Sequence, residues 1–251
     1  MPQSITAGQS HSWSKFDSAV RWYLSNLKWL SLSIVPLARR VKNWPSVFLH
    51  YSSPFQRRPI LITFRNGETL LVPKNYLFEA IAETLLLNVY RFNESSTPRV
   101  VVDVGASIGD FVLFASRFGP RVYAYEPDSE SFKFLRTNVL SNGRQVVLFN
   151  APADRSTLDV ILERYREPEI DFLKMDCEGC EYDLLLSCAV NTLSRIRAIS
   201  IEVHRCKKGA PQQIVLSLKT MGFQVDLRER FGLGPYILAW RPSATKPIVV
   251  T

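Results

Sequence analysis

Three carboxyl groups and one histidine are the residues best placed to do chemistry. The run Phe172-Leu-Lys-Met-Asp-Cys-Glu-Gly-Cys-Glu181 packs Asp176, Glu178 and Glu181 into six residues at the end of an apolar stretch that reads as a buried strand. Charge gathered at the C-terminal edge of a parallel sheet is where function usually sits. Acids also stabilise a helix N-terminus, which accounts for Glu178 and Glu181 but less well for Asp176 on the strand end. A further β-rich run closes on Ile201-Glu-Val-His204, adding Glu202 and His204. An imidazole titrates near neutrality. His204 is therefore the first candidate for a general base and Asp176 the second.

A second cluster points to a nucleoside. Val101-Val-Asp-Val-Gly-Ala-Ser-Ile-Gly-Asp110 is a buried strand running into a glycine turn, with a helix beginning near Ile108. Gly105 and Gly109 let the chain turn tightly and a ligand approach the backbone. The spacing is Gly-x-x-x-Gly, not the dinucleotide Gly-x-Gly-x-x-Gly, and Asp103 precedes it inside the strand. A carboxylate there repels a pyrophosphate and attracts an ammonium, which disfavours a nicotinamide-dependent oxidoreductase. The next strand, Val122-Tyr-Ala-Tyr-Glu-Pro127, ends in Glu126, seventeen residues beyond Gly109. An acid at that strand end can accept hydrogen bonds from both ribose hydroxyls. The third strand ends at Asn150-Ala151, where Asn150 either donates to an adenine ring nitrogen or acts as a cap or turn residue.

The carboxyl groups could instead hold a divalent cation, but hard cations need several oxygens converging in space, and no metal ligands are assigned. Cys177-Glu-Gly-Cys180, with Cys188, Cys206 or His204, gives an imaginable zinc set. The cysteines occupy variable positions of the acidic run, however, and are expected to be buried, unreactive thiols.

The elements that must hold these groups follow from periodicity. From Arg99 onward, Val100 to Val104, Val122 to Glu126, Gln145 to Asn150, Ile170 to Asp176 and Ala198 to His204 alternate with helical patterns, which implies a parallel sheet covered on both faces. Gly222 to Leu227 and Tyr236 to Trp240 read as an antiparallel hairpin at the sheet edge. Upstream, Pro59 to Arg65, Asn66-Gly67 and Glu68 to Pro73 form a β-hairpin signal, and a helix is expected from Tyr76 to Phe92. Phe16, Val20, Tyr23, Leu24, Leu27 and Leu30 recur at helical spacing with basic residues between them, predicting an amphipathic basic helix or helix pair over Trp13 to about Val41. It reads as a lid on the main domain, or as a contact with a membrane surface. The organisation expected is a flexible terminus over 1–12, an N-terminal helical and hairpin extension over 13–98 and the main domain over 99–251.

Of the chain's net charge of +8, residues 1–100 carry 12 Lys/Arg against 5 Asp/Glu, and residues 101–251 carry 19 against 18. The excess therefore belongs to the N-terminal part. Four cysteines in 251 residues fit a reducing compartment, with the cytoplasm as the natural reading. Trp29 to Ala38 is about half the length that spans a bilayer, so no transmembrane segment is expected.

The glycine turn Asp-Val-Gly-Ala-Ser-Ile-Gly-Asp, the Tyr-Glu-Pro, Thr157-Leu-Asp159, the Lys-Met-Asp-Cys-Glu-Gly-Cys-Glu and Ile201-Glu-Val-His204 together resemble FkbM-type methyltransferases, over roughly residues 60–240. The resemblance implies a class I S-adenosylmethionine-binding Rossmann-like α/β fold, mostly parallel with a C-terminal antiparallel hairpin. It implies O-methylation of hydroxyls on small molecules or sugars. By it, Asp103, Gly105, Glu126 and Asn150 contact the cofactor, with Ala106, Ser107, Gly109, Asp110, Pro127, Ala151 and Asp176 completing that site. Asp176, Glu178, Glu181, Glu202 and His204 face the reaction zone. Only six residues separate Asn150 from Thr157, fewer than relatives carry, so that wall of the pocket is expected to be short. A nucleic-acid-modifying methyltransferase and a non-catalytic cofactor-binding protein of the same fold are the alternatives. The first is disfavoured because the basic excess carries no recognisable RNA-binding module.

Overall fold

The computed structural model describes residues 34–52, 57–77, 80, 83–84, 87–92, 97–204, 210–230 and 233–242. The predicted basic helix lies mostly outside them, although residues 34–40 are helical. The order of elements is α1 (Trp44–Ser52), β1 (Ile60–Thr63), β2 (Thr69–Val72), β3 (Val100–Val104), α2 (Asp110–Ser116), β4 (Arg121–Tyr125), α3 (Ser129–Ser141), β5 (Val146–Phe149), α4 (Thr157–Asp159), β6 (Ile170–Met175), α5 (Cys180–Leu186), α6 (Val190–Ser194), β7 (Ile196–Glu202), α7 (Pro211–Thr220), β8 (Gln224–Arg230) and β9 (Leu233–Trp240).

β3 is buried at every residue, Asp103 included, as a Val-rich strand must be when helices cover both faces of a parallel sheet. It forms the centre of a seven-stranded sheet of order β5-β4-β3-β6-β7-β9-β8. The first five of these strands are parallel. β9 inserts antiparallel between β7 and β8. This is the mostly parallel sheet with a C-terminal antiparallel hairpin that the sequence resemblance implies, with the hairpin longer at both strands than the sequence pattern indicated. The order in which strands are added reverses at β3, so the carboxyl ends of β3, β4 and β6 open a crevice at the switch point.

One core lies under α5, α6 and α7, around Leu173, Leu184, Ile199 and Ile214. The opposite face packs Phe111 and Leu135 from α2 and α3. Val89, Tyr90 and Phe92 belong to this second core, so the segment before residue 98 forms part of the sheet's cover. The regular helix expected over Tyr76 to Phe92 is not what the described residues show: Lys74–Tyr76 is a 3-10 turn, Ala80, Glu83 and Thr84 are π-helical, and Val89–Tyr90 is a turn. Packing Tyr90 and Phe92 inward against the sheet breaks the helical phase there.

The predicted hairpin forms as β1 and β2, with Ile62 paired to Leu70. It is pinned to α3 by two asparagines. Asn138 accepts from Leu71 N–H (2.7 Å) and donates to the carbonyls of Leu71 and Ile108, and Asn142 accepts from Thr69 N–H (2.9 Å) and donates to Thr69 O. Buried side-chain amides that satisfy a strand edge in this way fix its register as well as its position. No described helix is long and apolar enough to cross a membrane.

Candidate active site

Gly105 follows β3 with φ +80°, and its N–H and that of Ala106 both donate to Tyr125 O on β4 (3.0 and 2.9 Å). A Cβ on Gly105 would sit 1.7 Å from the carbonyl oxygen of Asp176, so the glycine turn and the acidic run touch backbone to backbone. Lys174 locks that contact from below. Its Nζ donates to Gly105 O (2.6 Å), lies 3.0 Å from Asp103 Oδ1 and sits 4.9 Å from the centre of the Tyr90 ring. Burial opposes its charge, but the carboxylates of Asp103, Asp176 and Asp110 prevail and push the ammonium up to about 12. Burial pulls Asp103 the opposite way, upward. Asp103 and Lys174 therefore form a buried ion pair beneath the glycine turn.

Glu126, at the end of β4, accepts from Ser107 N–H through Oε2 (2.7 Å) and from Asp128 N–H through Oε1 (2.8 Å). The two amides orient the carboxylate across the glycine turn, and each oxygen keeps a further lone pair. Asn150 is committed elsewhere: its amide donates to Glu126 O (2.9 Å) and its oxygen accepts from Ser129 (3.2 Å). The short segment after it is closed by Asp154, whose carboxylate accepts from Ser156 N–H and Oγ.

His204 joins the two strand ends. Its Nδ1 lies 3.0 Å from Oε1 of the fully buried Glu181, and its Nε2 lies 3.8 Å from both Asp176 Oδ1 and Glu178 Oε1. A carboxylate on Nδ1 fixes the tautomer and turns Nε2 outward. The hydrogen bond that Nδ1–H donates to Glu181 raises the imidazole most, burial opposes it, and the charges of Glu181, Asp176 and Glu178 add to the rise, giving about 9. The near-neutral titration expected from the sequence is corrected accordingly: three carboxyl groups around one ring hold its proton.

Two phenols pin the remaining carboxyl groups. Tyr90 donates to Asp176 Oδ2 (2.7 Å) and Tyr236 to Glu202 Oε2 (2.8 Å). Burial, then the nearby carboxylates, raise both phenols far above their usual range, so they act as fixed donors. Burial and the neighbouring Asp176 raise Glu202.

The expectation of unreactive thiols is overturned for two of the four cysteines. Cys177 and Cys180 form a disulfide with their Cα atoms 5.5 Å apart. Glu178 (φ +55°) and Gly179 (φ +107°) both take left-handed conformations, and these fold the chain back so that the flanking side chains meet. Cys188 is free, its thiol pushed up to about 11 by burial and then by Asp159. Cys206 lies outside the described residues.

A cavity of about 350 Å³ is lined by Gly105, Ser107, Asp110, Glu126, Asp176, Glu178, Glu202 and His204 among the predicted residues. Asp103, Ala106, Gly109, Pro127, Asn150, Ala151 and Glu181 are not part of its lining. Asp103 and Glu181 stand directly behind it, against Lys174 and His204. Tyr76, Glu83, Thr84, Tyr90 and Lys174 also line it and were not singled out by sequence. The lysine inside the Lys-Met-Asp run was the available signal, since a lysine at a buried strand position demands a partner. No cluster of three or more His, Cys, Asp or Glu side chains suited to a metal occurs among the described residues.

Residues 150–225 match the family model for the Methyltransferase FkbM domain. No curated protein matches the chain. Among solved structures, an rRNA methylase from Streptococcus thermophilus is similar at 16% identity over 64% of this chain and 98% of that one, with a TM-score of 0.47. An O-methyltransferase family protein from Burkholderia thailandensis gives 12% identity over 67% and 59%, TM-score 0.45. Magnesium protoporphyrin IX methyltransferase from Synechocystis PCC 6803, with bound S-adenosylhomocysteine, gives 15% identity over 59% and 76%, TM-score 0.43.

Proposed function

From a methyltransferase fold whose residues 150–225 match the FkbM domain, we propose that this protein transfers a methyl group from S-adenosylmethionine to a hydroxyl of a small molecule or sugar. One observation carries the reading: His204, held through Nδ1 by Glu181, turns Nε2 toward Asp176 in the same cavity that Glu126 and the glycine turn line.

The residues fit the cofactor. Glu126 has its carboxylate already oriented by two amides and free to accept from a ribose diol, and Asp110 supplies a further carboxyl for an ammonium. Bound there, the cofactor supplies a methyl group already activated on a sulfonium. What remains for the protein is alignment and removal of one proton. Asp103 acts through Lys174, which holds Gly105 O and so the turn itself. Nε2 of His204 in its neutral form accepts the hydroxyl proton, and that form grows as pH rises toward 9. Asp176, held by Tyr90, orients the acceptor.

The lining also bears on the acceptor. Seven carboxyl groups, Glu83, Asp110, Glu126, Asp128, Asp176, Glu178 and Glu202, face the cavity against Lys174 and His204. Such a wall repels phosphate and suits an uncharged polyol or an amine-bearing sugar, which favours a small hydroxyl compound over a nucleic acid.

Isothermal titration with S-adenosylmethionine and S-adenosylhomocysteine tests the first half. Micromolar binding is expected, and Glu126→Ala should weaken it at least tenfold, the value of about 1.4 kcal/mol that a lost charged hydrogen bond exceeds. Absence of binding by the parent chain would remove the enzymatic reading. Release of S-adenosylhomocysteine during a screen of sugars and phenols, lost in His204→Gln, tests the second half.

A further inference from the structure

The N-terminal extension holds a surface that methyl transfer does not use. Between Ser18 and Gly67 the sequence has eight Lys/Arg and no Asp/Glu, while the rest of the chain holds 23 of each. The entire net charge of +8 therefore resides in fifty residues. In the described part of that segment Arg39, Arg40, Lys42, Arg57, Arg58 and Arg65 are all exposed. Three large apolar side chains stand out among them: Val35 is 56% exposed, Leu49 68% and Leu61 50%.

Hydrogen bonds tie the Ala38–Asn43 segment to β1 and the turn after it. Lys42 N–H donates to Thr63 O (2.7 Å), Arg65 N–H to Arg40 O (2.9 Å), Arg65 Nε to Ala38 O (2.8 Å), and the Asn43 amide to Leu61 O (2.8 Å). On β1, Ile62 faces the core with Leu70, so Leu61 and its partner Leu71 occupy the opposite face by strand alternation. An apolar sheet face thus stands beside the basic Arg39–Lys42 segment and Arg65.

We propose that this extension is a peripheral docking surface for an anionic lipid membrane. Charge complementarity draws it to the leaflet and the exposed apolar groups enter the headgroup boundary. A nucleic acid would satisfy the charges but leave Val35, Leu49 and Leu61 without a partner. The surface is separate from the cavity, so it stands whether or not the chain transfers methyl groups.

Co-sedimentation of the full chain with vesicles of phosphatidylcholine alone, or with added phosphatidylserine, tests this. Binding is expected only with phosphatidylserine, and 1 M salt should release it because the Debye length falls to about 3 Å. Leu61→Ser, which leaves the charge untouched, should weaken binding about tenfold. Arg39→Gln with Arg40→Gln should weaken it roughly 25-fold, from about fivefold per basic residue. Affinity for S-adenosylhomocysteine and the melting temperature of each variant serve as controls of folding. Failure to bind phosphatidylserine vesicles overturns the proposal. So does binding that Leu61→Ser leaves intact, and binding of a single-stranded RNA homopolymer without vesicle binding would assign the surface to nucleic acid instead.

Discussion

Replacing Glu181 by Gln should release the proton that the site holds on His204. The glutamine keeps the volume of a fully buried side chain and can still accept from Nδ1–H, but it removes the largest cause of the raised imidazole. With a titration at about 9, only about 1% of the parent's imidazole is neutral at pH 7; without Glu181 the value should fall by more than one unit toward about 6.5. The sign of the linked stability follows. The folded value exceeds the unfolded 6.5, so the stabilisation is complete below about pH 6.5 and disappears as pH rises through about 9. At about 1.36 kcal/mol per unit it is at most of order 3 kcal/mol. The assay is proton NMR of the imidazoles, which needs no acceptor. The chain has three histidines, burial and then Lys74 hold His50 below its usual value, and His204→Gln assigns the remaining signal. Urea unfolding across pH 6 to 9 should show the parent's advantage over Glu181→Gln shrinking as pH rises. A parent midpoint near 6.5, or one unmoved by Glu181→Gln, would refute the reasoning.

Two further outcomes follow from the floor of the site. Lys174→Met leaves Asp103 buried beside no cation, so unfolding free energy should fall by about 3–5 kcal/mol, measured by urea denaturation; a loss below 1 kcal/mol would show that the pair is not held as described. Gly105→Ala places a Cβ against Asp176 O and a side chain at positive φ, so S-adenosylhomocysteine binding should vanish in calorimetry, with about 1–3 kcal/mol of strain lowering the melting temperature.

The strands were legible because Val100–Val104 and Ile170–Met175 are mostly apolar, β-rich runs in spite of Asp103, Asp171 and Lys174 within them, and the glycine turn and Glu126 fell into register with them. Asn66-Gly67 similarly fixed the hairpin. What could not be read were contacts made between elements distant in sequence. Tyr90 meets Asp176 across 86 positions and Tyr236 meets Glu202 across 34, and no local pattern records such pairings. Asn150 was readable only as two alternatives because an amide's partner depends on the turn that closes over it; the structure shows it serving the β4–α3 turn. The titration of His204 was misjudged for the same reason: residue type sets the starting value, and Glu181, 23 positions away, resets it.

The Cys177–Cys180 bond makes one polypeptide into two chemical species. Its ring encloses so few residues that little chain entropy is removed, on the order of 2 kcal/mol by the loop model, so it does not serve as a staple for the domain. What it changes is bookkeeping at the bench. A preparation kept under dithiothreitol and one kept in air differ by two hydrogen atoms beside Asp176, and a stock left partly oxidised is a mixture whose binding curve is a weighted average of two proteins.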